Sequence, residues 1–212
     1  MAEILEIFDA SYKSKGTAFR SEAHEKGLWH HTFHCWIIRR REGRDYVLFQ
    51  KRADIKKDWP SKLEITAAGH VSAEESLADG IREIREELGV SVDYDSLYYL
   101  GMRTEVLQTD TMDNREFQHV YLFETDKPIE SFTLQAEEVG GLIELEISEG
   151  LKLFSGEVDS VCCDAVLLQD GRNIKGRFEM RRDSLIERPD CYYKTLLIMA
   201  ERALSGERYL SI

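Results

Sequence analysis

The chain has 212 residues, 42% hydrophobic and 32% charged, which is ordinary for a globular protein and enough for one large domain or one domain with an appendage. A formal charge of -12 argues against a nucleic-acid backbone or an anionic membrane as the main partner; a small anionic substrate can still be held where Lys, Arg and metal cluster locally. The N-terminus has no signal-like pattern, no apolar run approaches about 18 residues, and four cysteines without CxxC spacing read as reduced thiols, so the cytoplasm is the expected compartment.

Taken in order, Ile4 to Phe8 reads as a short strand, and the polar stretch up to Lys26 as an exposed loop, giving an N-terminal arm over residues 1–26. Gly27 to Ile38 is rich in aromatic and β-branched residues, as strands are. A charged turn around Gly43 and the run Tyr46 to Gln50 complete a hairpin. Lys51 to Pro60 is a basic loop, and Leu63 to Ala67 leads towards a helix. After the helix, Leu97 to Val106 and Glu116 to Glu124 read as strands joined by a polar loop, Gln108 to Arg115. Glu137 and Glu138 sit in a loop before a strand over Leu142 to Ile147. The core therefore spans 27–148. In the extension, 149–212, Val161 to Leu168 suggests one more strand and Cys191 to Ser205 a terminal helix. Strands around one helix, with a second helix late in the chain, suit a mixed α/β sandwich.

Ser76 to Leu88 carries the clearest pattern. Leu77, Ile81, Ile84 and Leu88 recur at helical spacing, and Gly89 suits the left-handed position that ends a helix. Glu83, Glu86 and Glu87, at i, i+3 and i+4, share another face, where like charges repel by roughly 0.2–0.5 kcal/mol per pair. A divalent cation among them reverses that penalty, and carboxylates are the hard oxygen ligands that Mg²⁺ or Mn²⁺ prefers.

Arg82-Glu83-Ile84-x-Glu86-Glu87-x-Gly89-Val90 resembles the second half of the Nudix box, G-x5-E-x7-R-E-U-x-E-E-x-G-U, where U is aliphatic, and every specified position of that half matches. The first half is one residue short. Counting from Gly69 puts its glutamate at Glu75; counting back from Arg82 puts it at Glu74 and places Ala68 where the glycine belongs. Both assignments stand. The resemblance covers roughly residues 30 to 148 and implies an α/β/α sandwich with a mixed sheet. It also implies hydrolysis of a nucleoside or other organic diphosphate linked to a second group. On that reading Glu83, Glu86 and Glu87 bind Mg²⁺ or Mn²⁺, and Arg82 is structural. The base that takes the water's proton is Glu86 or Glu83, or else Glu137 or Glu138, where some family members carry one.

Arg52-Ala-Asp-Ile-Lys56-Lys57-Asp-Trp59-Pro60, followed by Ala68-Gly69-His70, is similar to the matching stretch of isopentenyl-diphosphate isomerase, a Nudix-fold enzyme. That similarity implies diphosphate contacts from Arg52 and Lys56. It also brings His70 and Glu116 towards the site, with His24 and either His30 or His31 as further candidates for a second, histidine-bound metal. Strand alternation puts His30 and His34 on one face and His31 on the other. The isomerase's catalytic cysteine and second glutamate fall on Ala68 and Gln118, and neither a methyl group nor a neutral amide moves a proton at neutral pH. Isomerase is therefore the second reading, and a catalytically silent domain that senses a nucleotide or docks a partner is the third. Trp29, Trp36 and Trp59 are either pocket wall or core. Residues beyond about Gly150 leave room for substrate selectivity or a homodimer contact.

Overall fold

In the computed structural model, which describes residues 3–109 and 112–212, the sheet is assembled on one long strand, β3 (Trp29–Arg41). One edge of β3 runs parallel to β8 (Met112–Glu124), from His30 opposite Glu116 to Ile38 opposite Glu124. The other edge is shared in succession by β1 (Ile4–Phe8), β6 (Ala67–His70) and β4 (Arg44–Arg52), all antiparallel. From β4 the sheet continues through β9 (Val139–Glu146), β10 (Ser160–Gln169) and β11 (Arg172–Arg181); β2 (Ser14–Phe19) flanks β1, β5 (Leu63–Glu64) pairs with β4, and β7 (Tyr98–Thr109) pairs with β8. One parallel ladder among antiparallel ones makes the sheet mixed.

Alternation along β3 divides the core into two layers. Phe33, Cys35 and Ile37 face Ile84 and Leu88 of the helix α2 (Arg82–Leu88). Trp36 and Ile38 face the other way, towards Leu196, Leu197 and Ala200 of α4 (Tyr192–Leu204), which packs beside α3 (Ile147–Ser155). Each buried Leu or Ile contributes roughly 1.5–3 kcal/mol. Helices on both faces give the α/β/α sandwich. The even-numbered face of β3 continues past Trp36 into His34, Thr32 and His30, so the strand that supplies core at one end supplies polar side chains at the other.

Four local readings change. Residues 14–26 form β2 and the helix α1 (Arg20–Lys26), which Gly27 ends in a left-handed conformation. They show no alternation because β2 lies at the sheet edge with only Ala18 buried. The helix expected over Ser76 to Leu88 is a 3-10 turn, Leu77–Ile81, followed by α2. A 3-10 turn rises about 2.0 Å per residue against about 1.5 Å in an α-helix, so its five residues travel roughly 2.5 Å further. The extension also holds α3 and β11 besides the expected strand and helix. The loop expected between β7 and β8 narrows to the hairpin end, and residues 110 and 111 lie outside those described.

Candidate active site

Arg82, the first residue of α2, organises the loop before it. Its Nε and Nη2 donate to the two carboxylate oxygens of Glu75 at 2.6 and 3.2 Å, Nη2 also reaches the His70 carbonyl at 3.0 Å, and Nη1 donates to Glu83 Oε1 at 2.6 Å. A two-pronged guanidinium–carboxylate pair fixes orientation as well as distance. Glu75, not Glu74, is therefore the glutamate that partners Arg82. Hydrogen bonds from Arg82 hold its carboxyl below the usual range, and the Ser72 N–H adds to this.

The three glutamates of α2 share a face but not an environment. Glu86 is exposed, while the Glu83 side chain is 12% exposed and Glu87 is buried. Burial pushes the Glu83 carboxyl up to about 7 against the pull of Arg82, with Glu86 adding to the rise. Glu87 is raised too, by burial first and then by Glu83; among the described residues its carboxylate accepts one hydrogen bond, from the Ala68 N–H at 3.3 Å. Gly69 lies directly against Glu83, since a Cβ there would meet its Oε1 at 2.0 Å. Carboxylates crowded together with too little positive charge suit a divalent cation.

These groups line a cavity of about 1090 Å³. Arg52, the last residue of β4, and Lys56, in the loop after it, enter the cavity, Arg52 paired with Glu64 and Lys56 with Glu138. Glu137 is exposed and absent from the lining, so of those two glutamates only Glu138 is placed to act there. Trp59 lines the cavity, whereas Trp36 is core, its Nε1 donating to the Tyr192 hydroxyl at 2.9 Å, and Trp29 packs on Phe117.

A second cluster stands beside the first. His24 on α1, His30 on β3 and His70 on β6 each present one ligand atom, all within 4.8 Å of one another. His30 Nδ1 donates to the Leu28 carbonyl at 2.9 Å, and its buried Nε2 makes no hydrogen bond among the described residues. Glu116 Oε1 lies 4.0 Å from that nitrogen, and its carboxylate is held by Asn114 at 2.7 Å and Gln118 at 2.6 Å. Burial, then the neighbouring His30, depresses His24 to about 4 and His70 well below its ordinary value, and the Nε2 atoms of His24 and His70 lie 3.1 Å apart in a hydrogen bond. His31 is on the opposite face, against Phe8 and Tyr12, as alternation predicts.

Sequence reasoning missed Glu64, Glu105 and Arg188, which also line the cavity. Arg103 and Glu105, charged residues inside a strand, were a legible signal; Arg188 offered none.

The NUDIX domain model matches residues 28–152. An uncharacterized Nudix hydrolase of Clostridium acetobutylicum is 36% identical over 196 residues, which span 92% of this chain and 95% of the relative. An isopentenyl-diphosphate Delta-isomerase of Aliivibrio fischeri is 28% identical over 158 residues, 72% of this chain and 86% of the relative. Among solved structures, a Nudix hydrolase from Alicyclobacillus acidocaldarius superposes with a TM-score of 0.53 over 85% of this chain and 96% of that one, at 15% identity, a likeness of fold.

Proposed function

The chain belongs to the Nudix hydrolase family, and from that premise we propose that it uses Mg²⁺ or Mn²⁺ to cleave the diphosphate linkage of a nucleoside, or other organic, diphosphate joined to a second group. The observation that carries this is the donor set of α2: Glu83, Glu86 and Glu87 on one face, two of them nearly or fully buried and short of positive charge, in the same cavity as Arg52 and Lys56. Those three glutamates would hold the ion, which when bound neutralises phosphoryl charge and makes a water more acidic.

The chain's own groups supply the rest. Arg52 and Lys56 exchange their carboxylate partners for phosphate oxygens, the guanidinium as a fork and the ammonium as a point charge. Arg82 and Glu75 keep the glycine loop and α2 in register, so that Glu83 stays against Gly69. Glu138 is released as Lys56 turns to the phosphate and accepts the proton of the attacking water. A second divalent ion would take His24, His30 and His70, three imidazoles that suit a transition metal better than Mg²⁺, with Glu116 lying 4.0 Å from His30 Nε2.

Isomerisation remains the weaker reading. Gln118 sits between Glu105 and Glu116, donating to Glu105 at 3.0 Å and Glu116 at 2.6 Å while accepting from Arg103. The amide suits that place because it donates twice and accepts once, and it carries no proton to transfer. The free cysteines Cys35, Cys162, Cys163 and Cys191 favour a reducing compartment, the cytoplasm. Among the described residues, no helix is long and apolar enough to cross a membrane.

The test is release of phosphate or nucleotide from a panel of organic diphosphates with Mg²⁺ or Mn²⁺. Turnover abolished by a chelator and restored by the ion is expected. No turnover on any member, with tight binding of one by calorimetry, would instead make the protein a silent binding domain.

A further inference from the structure

Ile186 and Arg188, in the segment 185–190, line the cavity from outside the stretch 28–152 that the family model matches. This segment is a strap. Near its start the Ile186 N–H donates to the Leu63 carbonyl of β5 at 3.0 Å; at its end Asp190 accepts from Arg103 of β7 at 2.6 Å. Between the two ties Arg188 lines the cavity with its side chain only 6% exposed.

The guanidinium of Arg188 is held on two sides. Nη1 pairs with Glu105, Nε donates to the Tyr193 hydroxyl at 3.3 Å, and the group lies 5.4 Å from the centre of the Tyr192 ring. Nη2 makes no hydrogen bond among the described residues. Glu105 is itself buried and braced by Arg103 at 3.1 Å, so the fork has one preferred orientation. Thr32, His34 and Gln50 line the same cavity and are also polar and buried. A wall of this kind favours a ligand that returns hydrogen bonds. A hydrocarbon chain pressed against it would leave the charged edge dry and unpaired, which is the discrimination that polar sites enforce most strongly.

We propose that Arg188, oriented by Glu105, is a specificity residue: its open edge receives an oxygen of a polar group on the diphosphate, a sugar hydroxyl or a base carbonyl, and disfavours isoprenoid diphosphates. This rests on the hydrolase reading and extends it by assigning recognition to the C-terminal strap.

The experiment compares kcat/KM on uridine diphosphate glucose, adenosine diphosphate ribose and dimethylallyl diphosphate, for wild type, Arg188→Lys and Arg188→Met. The wild type is expected to prefer at least one polar substrate over dimethylallyl diphosphate by about 100-fold or more. Arg188→Met is expected to lower that ratio at least about tenfold, through KM, with Arg188→Lys in between. Loss on both polar substrates indicates a sugar hydroxyl, and loss on the uridine compound alone a base carbonyl. Wild-type preference for dimethylallyl diphosphate overturns the proposal whether or not the variants fold, and so does an equal loss on all three substrates. Turnover of none overturns the hydrolase reading together with it.

Discussion

Gly69 and Glu83 occupy space that one extra carbon would contest. A Cβ at position 69 would come 2.0 Å from Glu83 Oε1, the oxygen that Arg82 also holds. The carboxylate can swing aside, because it is the end of a flexible side chain. Gly69→Ala is therefore expected to keep its melting temperature within a few degrees of wild type while metal-dependent turnover falls about 100-fold, the usual effect of a misplacement near 1 Å. Turnover within about twofold of wild type would mean that Glu83 need not sit there. His34 makes a different prediction. Burial depresses its pKa to about 3 from the ordinary 6.5, so between those values the unfolded chain binds a proton that the folded chain refuses. Stability from this group is present above about 6.5 and is lost as pH falls towards 3, by about 1 kcal/mol between pH 7 and 5.5. Urea unfolding of His34→Gln across that range should show a pH slope shallower by roughly half a proton on average, and an unchanged slope would contradict the depressed pKa. Residue identities alone left Glu74 and Glu75 equal, because the two ends of a shortened motif count to different glutamates. Only the fold of the intervening turn brings Glu75, and not its neighbour, to Arg82.

The elements with internal repeats of burial were legible, and the others were not. β3, β4, β8 and α4 each bury one face or nearly all of their length, which writes apolar periodicity into the sequence. β2 and β11 are mostly exposed edge strands held by backbone hydrogen bonds, which leave no trace in side-chain pattern. The 3-10 turn was hidden for another reason: Leu77 and Ile81 face the core in either geometry, so the apolar spacing does not distinguish them. Gly80, inside that turn, is where its tightness shows. A Cβ there would meet Phe33 ring and Cβ atoms at 2.7 Å, and Phe33 is fully buried against Tyr121. Gly80→Ala should therefore destabilise by about 1–3 kcal/mol in denaturant unfolding, the range for overpacking a filled core. No loss of stability would show that the turn can relax into a longer α-helix.

Across the whole molecule, separate stretches meet at one cavity, among them α1 with its histidine, the loop and helix of the box, and the strap that follows β11. The sequence disclosed the middle stretch through its motif and the flanking basic loop, but not the strap, whose lone arginine gains meaning only from the glutamate and tyrosines around it. The net charge of -12 is no obstacle to an anionic substrate when the acidic groups inside the cavity are those that would gather cations. What decides the account is whether those glutamates act with metal on a diphosphate. The most direct measurement is steady-state turnover of the best diphosphate with saturating Mg²⁺ or Mn²⁺, in wild type, Glu86→Gln and Glu137→Gln. Glu86 is exposed and Glu137 lies outside the cavity, so both variants are expected to fold. The prediction is a fall in kcat of about a thousandfold for Glu86→Gln and a value near wild type for Glu137→Gln. Turnover that survives Glu86→Gln, or that proceeds equally well in excess chelator, would contradict a metal site on α2.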